Sequence, residues 1–160
     1  MATNTEQEIE ENLLQMVNSQ QNSLMTHVKI SSTFSGEIVK LTSGYASVVL
    51  ETIEVMRADE LGLVHGGFIF SAADFAAMAA VNEPNVVLAS SNCLFLSPVR
   101  VGDKVIFIAE EHQKEGRKRT VSVKGYVHEI KVFEGEFKTV ITEHHILRLD
   151  LLKNIEEGQR

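Results

Sequence analysis

The longest apolar stretch of the sequence runs from Phe68 to Val81 and predicts a buried helix. Apolar side chains occupy almost every position around the helical circumference, which is typical of a helix inside a protein. We therefore predict a helix from about Gly66 to Asn82, ended by Pro84, which cannot donate a backbone hydrogen bond. The stretch is shorter than the roughly 20 residues that span a bilayer, so no membrane partner is expected.

Apolar and polar residues alternate on both sides of this helix with the period of two that is typical of β-strands. Alternation at Ala46 to Leu50 predicts a strand before the helix. Four strands are predicted after it: Asn85 to Leu96, Lys104 to Glu111, Thr120 to Glu129 and Lys131 to Leu147. Lys114 to Arg117 is typical of a hairpin tip. A long helix followed by an antiparallel meander indicates an α+β fold with the helix against one sheet.

The N-terminal part of the chain has a weaker pattern. Apolar residues at loosely helical spacing predict a helix from Glu6 to about Val28, and Ser31 to Gly36 is interpreted as a loop. These patterns divide the chain into an N-terminal helical extension at 1–35, one folded domain at 36–150 and a C-terminal tail at 151–160.

Charge and cysteine content exclude several classes of protein. The 160 residues carry a formal net charge of −7, which argues against a nucleic-acid partner. Cys93 is the single cysteine, so no disulfide forms within the chain, and its place in a strand predicts a small buried apolar side chain. The polar, acidic start has no apolar segment of the kind found in signal peptides, which predicts a cytoplasmic location.

Asp74 is the one charged residue of the apolar helix and our first candidate for chemistry. A carboxylate is costly to bury unless a partner or a raised pKa compensates, and such perturbation is typical of functional sites. A structural hydrogen bond to Ser71, one turn earlier, or a bond across an interface explains the residue equally well at this point.

The start of the helix is rich in glycine and has no side chain that usually caps a helix. His65, Gly66 and Gly67 stand where Ser, Thr, Asp or Asn is common. The first N–H groups of a helix have no internal acceptor and carry the positive end of its dipole, so they can stabilise a developing oxyanion. The alternative is a tight turn between loop and helix.

Two motifs resemble those of hotdog-fold thioesterases of the phenylacetate-pathway type. One is His-Gly-Gly-Phe-Ile-Phe-Ser-Ala-Ala-Asp from His65 to Asp74, and the other is the strand and Pro-Val-x-x-Gly-Asp turn from Phe95 to Asp103. The resemblance covers roughly Gly36 to Leu147 and implies a long central helix wrapped by an antiparallel sheet. It also implies acyl-CoA or acyl-carrier-protein substrates, no cofactor apart from the substrate's coenzyme A, and homodimers or dimers of dimers with the active site at the subunit interface.

The resemblance also assigns roles to the motif residues. Asp74 matches the family's catalytic carboxylate, and Gly66 matches the glycine whose N–H polarises the thioester carbonyl. His65 matches the motif histidine, which shapes the loop more often than it does chemistry, and Gly67 is placed with the substrate-binding residues.

Three positions depart from the family pattern or match it loosely. Asp59 stands where many relatives have an Asn or Gln that holds substrate or water, and Met78 stands where relatives with a Glu nucleophile have Thr. Ser90 or Ser91 is a candidate for the serine that positions water on the following strand. We include all four among the predicted substrate-binding residues.

Three cations near turns are candidates for binding the phosphates of coenzyme A. Arg100 lies in the Pro-Val turn, and Arg117 and Lys118 lie beside the hairpin tip. A solvated hairpin is the alternative for each. No spacing of His, Cys and Asp resembles a zinc site, so no metal is expected.

The favoured function is hydrolysis of an acyl thioester, with Asp74 either attacking the carbonyl carbon or activating water. The alternative is a protein that binds acyl-CoA without cleaving it, like the malonyl-CoA-responsive lipid repressor of the same fold. That relative has an amide at the carboxylate position, so Asp74 favours the enzyme. A hydratase of this fold needs a carboxylate–histidine pair in a different motif, which the sequence lacks.

Overall fold

A 16-residue helix lies against one face of a six-stranded antiparallel sheet. The computed structural model describes residues 22–149. In chain order its helices and strands are α1 (Ser32–Ser35), β1 (Glu37–Thr42), β2 (Tyr45–Glu51), α2 (Gly66–Val81), β3 (Val86–Phe95), β4 (Lys104–Glu115), β5 (Lys118–Val127) and β6 (Ile130–Ile141). Short 3-10 helices occupy Glu54–Met56 and Ile146–Arg148.

The strand order is β1-β2-β4-β5-β6-β3, and every neighbouring pair is antiparallel. Strand β3 directly follows the helix in sequence but pairs with β6 at the far edge of the sheet. The sheet therefore ends at β1 on one side and at β3 on the other. This position of β3 decides which residues lie beside α2 at the open edge.

The core lies between α2 and the sheet. Alternate residues of the central strands, such as Val48, Phe107 and Val123, face the helix and are fully buried. The helix presents several alanines to them, including Ala76 and Ala77, so the helix and the sheet approach closely. This fit explains why so many of the buried helix residues are alanines.

The prediction for the central helix is confirmed. It starts at Gly66 and ends at Val81, and Asn82 adopts the left-handed conformation (φ 51°) with its N–H donating to the Met78 carbonyl. None of the helices within residues 22–149 has the length and hydropathy needed to cross a membrane.

The predicted strands are also observed, with two clear errors of extent. Strand β4 continues to Glu115, beyond the predicted end at Glu111, and β6 ends at Ile141, not at Leu147. The chain leaves the sheet at Thr142, whose hydroxyl donates to the carbonyl oxygens of Asn85 and His144. Strand β1 was not predicted, because it is an edge strand with a single buried residue and a register irregularity after Ile38, which breaks the alternation.

The prediction of a helix from Glu6 to Val28 is wrong for its described part. Residues 6–21 lie outside the described residues, and residues 22–28 are not helical. The Asn82 side chain holds this segment instead, because it accepts from the Met25 N–H at 2.7 Å and donates to the Ser23 carbonyl at 3.0 Å. The predicted loop at Ser31 to Gly36 contains the single turn of α1. The tail at 151–160 lies beyond the described part.

Candidate functional site

Asp74 has the unusual environment that its sequence context predicts. Its Oδ1 atom is inaccessible and has no hydrogen-bond partner, and it is the one such side-chain atom within residues 22–149. Burial raises the pKa of this carboxyl from 3.8 to about 6. Ser71 does not compensate, because its hydroxyl lies 2.8 Å from that of Ser35. The structural alternative of a bond to Ser71 is therefore not observed.

Strand β3 places two further polar side chains near Asp74. Ser91 pairs with the buried Phe137 across the strands, so it lies on the helix side of the sheet. Cys93 lies two residues further along the same face. The pKa of the Cys93 thiol is raised by burial and by the Asp74 carboxylate, while a hydrogen bond to Ser91 opposes the rise. Asp74, Cys93 and Ser91 therefore form one cluster beside the open sheet edge.

Ser90 points to the other side of the sheet, because neighbouring residues of a strand face opposite ways. It lines a groove on the outer face together with Lys118 and Arg119. Of the two candidate serines, only Ser91 is therefore on the side of Asp74, and the expectation for Ser90 at this site is corrected. The sequence could not distinguish them, because a register irregularity lies between Leu88 and Ser90.

The start of α2 leaves its first N–H groups without a side-chain cap. His65 is the extended residue before the helix and its side chain makes no cap hydrogen bond. Its ring lies over Gly67, where a Cβ atom would be 2.9 Å from Nε2. Gly67 thus makes room for His65, and the histidine shapes the turn. Gly66 is the first helical residue, so its N–H has no acceptor within the helix.

Gly66 and Asp74 lie too far apart on α2 to act together within one chain. They are eight residues apart, and at about 1.5 Å per residue this is roughly 12 Å along the helix axis. A thioester needs the oxyanion donor and the carboxylate both within a few ångströms of its carbonyl group. Each chain therefore carries two separate halves of the predicted site.

Asp59 holds the loop before the helix motif. Its Oδ1 accepts hydrogen bonds from the N–H groups of Leu61 at 3.0 Å and Leu63 at 3.1 Å. Gly62 between them has a positive φ of 86°. One oxygen of this carboxylate is thus engaged in shaping the chain that leads into Val64 and His65. A direct contact of Asp59 with substrate or water stays a prediction.

We predict that the factor by which Asp59→Ala lowers kcat/KM is less than one tenth of the factor by which Asp74→Asn lowers it. The alanine variant loses two backbone hydrogen bonds, worth about 1 kcal/mol each, so its melting temperature should fall. Asp59→Asn keeps the accepting oxygen and serves as the matched control, with activity near wild type. If Asp59→Ala abolishes hydrolysis while Asp74→Asn retains it, the roles of the two carboxylates are reversed.

The predicted phosphate-binding cations lie at opposite ends of the sheet. Arg100 pairs by a β-bridge with Leu63, close to the start of α2. Arg117 pairs with Glu143 at 3.0 Å, and Lys118 lies beside Val140 at the other end of β6. Gly125 of β5 is in register with Phe133 and, through it, with Phe95 beside Gly66. Lys118 lies seven residues before Gly125, which is about 23 Å along the strand. Arg117 and Lys118 therefore cannot serve Gly66 of their own chain.

Met78 is not available to a substrate. Its side chain is 0% exposed and belongs to the core under α2. The prediction of a substrate contact for Met78 is corrected for this reason. The sequence could not show this, because the burial of Met78 depends on which segments pack against α2.

Phe95 is a site residue that was not singled out from the sequence. A Cβ atom on Gly66 would lie 3.4 Å from its ring, so the ring adjoins the first N–H of α2. Phe95 shares the helix-side face of β3 with Ser91 and Cys93, and this alternation is the signal that would have identified it. Cys93 itself is only partly buried, whereas the sequence predicted a buried side chain.

The raised pKa of Asp74 predicts the pH dependence of the reaction. If the carboxylate is the active form, kcat/KM should rise with pH through about 6 and then level off. Because the pKa of Asp74 in the folded chain lies above 3.8, the protonated carboxyl favours the folded state. This contribution to stability is fully present below pH 3.8 and is lost as pH rises through about 6. Activity and urea-unfolding profiles between pH 4 and pH 8 would test both slopes. Activity that falls across this range would contradict the assignment.

No group of three or more His, Cys, Asp or Glu side chains within residues 22–149 is arranged to hold a metal ion.

Two curated proteins are similar in sequence to this domain. A protein of Aquifex aeolicus named methylthioribose-1-phosphate isomerase is 56% identical over 117 residues, which are 73% of this chain and 26% of that protein. A transcription factor FapR of Caldanaerobacter subterraneus is 32% identical over 114 residues, which are 71% of this chain and 57% of that protein. The matched region is thus about a quarter of the length of the A. aeolicus protein and somewhat over half of the length of FapR.

Three solved structures align with this chain over nearly the full length of their own chains. Uncharacterized protein PH1136 of Pyrococcus horikoshii is 46% identical, with a TM-score of 0.78 over 79% of this chain and 98% of that one. Cj0977 of Campylobacter jejuni, a sigma28-regulated virulence protein, is 36% identical, with a TM-score of 0.75 over 81% and 98%. A hypothetical thioesterase of Streptococcus pneumoniae, solved with coenzyme A, shares the fold at 20% identity, with a TM-score of 0.66 over 74% and 95%.

A family model supplies the remaining comparison. The model described as "Thioesterase superfamily" matches residues 61–132, which include the start of α2, Asp74 and the whole of β3. The architecture is the hotdog arrangement of one long helix against an antiparallel sheet. The chain therefore has the hotdog fold, and its residues 61–132 match the thioesterase superfamily.

Proposed function

We propose that this protein hydrolyses acyl-CoA or acyl-carrier-protein thioesters to a free acid and a thiol. The observation that carries the proposal is Asp74, a carboxylate with an unpartnered buried oxygen and a pKa near 6 on the central helix of a thioesterase-superfamily domain. The coenzyme A bound to the S. pneumoniae relative supports this substrate class. With a pKa of about 6, Asp74 is mostly ionised at neutral pH.

Two routes use the same groups. In the first, Asp74 takes a proton from water, the water oxygen attacks the carbonyl carbon, and the C–S bond breaks to release the thiolate. In the second, Asp74 attacks the carbonyl carbon, the thiolate leaves, and water cleaves the resulting anhydride. In both, the Gly66 N–H stabilises the negative carbonyl oxygen. In this proposal Ser91, which lies on the Asp74 side of β3, orients the water.

Each active site in this proposal is formed by two chains. Two α2 helices that lie antiparallel across a two-fold axis bring Gly66 of one chain opposite Asp74 of the other. In such a dimer the two equivalent sites lie roughly 12 Å apart, which is the separation of Gly66 and Asp74 along one helix. The unpaired edge of β3 lies on the side of the Asp74 cluster, where a second copy would complete the site.

The same arrangement gives a role to the distant cations. Arg100 lies near Gly66 of its own chain, whereas Arg117 and Lys118 reach that end only if a partner chain supplies them. We propose that the phosphates of coenzyme A contact Arg100 and the partner's hairpin. The cytoplasmic location and the absence of a nucleic-acid partner stay predictions.

The second candidate function is binding of acyl-CoA without cleavage. It is favoured by a relative that is named as a transcription factor and not as an enzyme, FapR of C. subterraneus, whose match covers 71% of this chain. The carboxylate of Asp74 favours hydrolysis over this alternative. Thiol release from acyl-CoAs of increasing chain length, with binding measured in parallel, distinguishes the two, because a sensor binds without releasing thiol.

A further inference from the structure

A small apolar pocket lies against Gly66, the proposed oxyanion donor. Its volume is about 210 Å³, and its walls include Leu63, Ile69, Phe95 and Val132. None of its lining residues is charged. A carbonyl oxygen held by the Gly66 N–H places one substituent of the carbonyl carbon beside this pocket.

Phe95 forms the wall of the pocket nearest to Gly66. Its ring is 55% exposed, yet it is anchored from below by an edge-to-face contact with Phe133 at 5.4 Å between centroids. Phe133 is fully buried and contacts the rings of Phe107 and Phe137. The exposed ring is therefore held in place by a buried aromatic cluster.

Rigid support matters because a pocket discriminates chain length only if its wall does not yield. An exposed aromatic side chain without such support would swing away from a longer ligand. Phe95 cannot do so without giving up its contact with Phe133. The ring therefore limits how far an acyl chain extends beyond Gly66.

We propose that this pocket receives the acyl group, and that Phe95 limits the length of the acyl chain it accepts. The inference rests on the proposed function. A volume of about 210 Å³ is small beside the roughly 300–1,000 Å³ of typical ligand pockets. The substrate class is therefore an uncharged short- to medium-chain or single-ring aromatic acyl thioester. An acyl group that ends in a carboxylate is rejected, because the uncharged walls offer its charge no partner.

The test compares rates over acetyl-, hexanoyl-, benzoyl-, dodecanoyl-, palmitoyl- and succinyl-CoA. Wild type should show its highest kcat/KM for the hexanoyl and benzoyl substrates, with succinyl-CoA roughly 100-fold lower. Phe95→Ala should raise the dodecanoyl-to-hexanoyl ratio of kcat/KM by about ten-fold or more. Phe95→Leu, which keeps an apolar wall and protects the fold, should give a smaller shift in the same direction.

Leu94→Ala is the matched control. Leu94 is 54% exposed, almost the same as its neighbour, but it faces a groove on the opposite side of the sheet with Asn92 and Ser122. Its substrate profile should match that of wild type. A purely structural role of Phe95 would lower all rates by one factor and leave the ratio unchanged, which would overturn the inference.

A binding measurement separates this inference from the proposed function. Calorimetry on Asp74→Asn with hexanoyl-, palmitoyl- and succinyl-CoA reports the pocket even if no hydrolysis occurs. Tightest binding of hexanoyl-CoA without turnover in wild type would support the pocket and contradict hydrolysis. A preference for palmitoyl- or succinyl-CoA in either assay, or equal affinity for all three, would contradict the pocket assignment.

Discussion

Asp74→Asn is expected to fold normally and to lower kcat/KM for acyl-CoA hydrolysis by roughly 10²- to 10⁴-fold, the range for removal of a general base. The amide has nearly the shape of the carboxylate but accepts no proton and is a poor nucleophile. Release of coenzyme A, measured with a thiol reagent on the purified variant, gives the rate. Undiminished turnover would remove Asp74 from the mechanism.

The stability of this variant provides a second readout. A pKa raised from 3.8 to about 6 means that ionising Asp74 costs about 3 kcal/mol more in the folded chain, at roughly 1.4 kcal/mol per unit. The amide avoids this cost at pH 8, so the melting temperature should not fall there and should rise if the amide finds a partner. Ser71→Ala, on the same helix, is the matched control. It loses the bond to Ser35 and should retain activity.

Mixing two inactive variants is expected to restore activity if each site uses two chains. Gly66→Pro removes the proposed oxyanion donor, and proline suits this first helical position, where His65 already has the extended backbone (φ −61°, ψ 130°) that precedes proline. Asp74→Asn removes the carboxylate. After co-refolding, a mixed dimer has one site with both groups and one with neither. Random pairing makes half of the dimers mixed, so about a quarter of wild-type activity should return.

Gly66→Ala is the control for this experiment. It keeps the N–H, and its Cβ would meet the Phe95 ring at 3.4 Å, so only a small adjustment of the ring is needed. It should therefore retain much more activity than Gly66→Pro. If mixed dimers form and no activity returns, the two-chain site is wrong and Asp74 acts with a donor from its own chain.

The central helix and the half-sites on it were predictable because their signals are local. All-round apolarity indicates burial, Gly66 and Pro84 bracket the helix, and a single carboxylate in such a helix is conspicuous. The strands after the helix were predictable from the alternation of apolar and polar residues. These features depend on neighbours a few residues away, which a single sequence displays.

The remaining features depend on contacts between distant segments. The N-terminal segment is held by Asn82, 57 residues away from Met25, so its own loosely helical pattern was misleading. Ser91 and Phe95 became site residues only because β3 pairs with β6 at the open edge of the sheet. The burial of Met78 likewise depends on which segments pack against α2.

Multiple-turnover release of coenzyme A from hexanoyl-CoA tests the central claim most directly. Wild-type protein at neutral pH should release many equivalents of thiol per chain, and Asp74→Asn at the same concentration should release almost none. Saturable binding of hexanoyl-CoA by the wild-type protein with no thiol released would contradict hydrolysis and identify the protein as an acyl-CoA-binding hotdog protein.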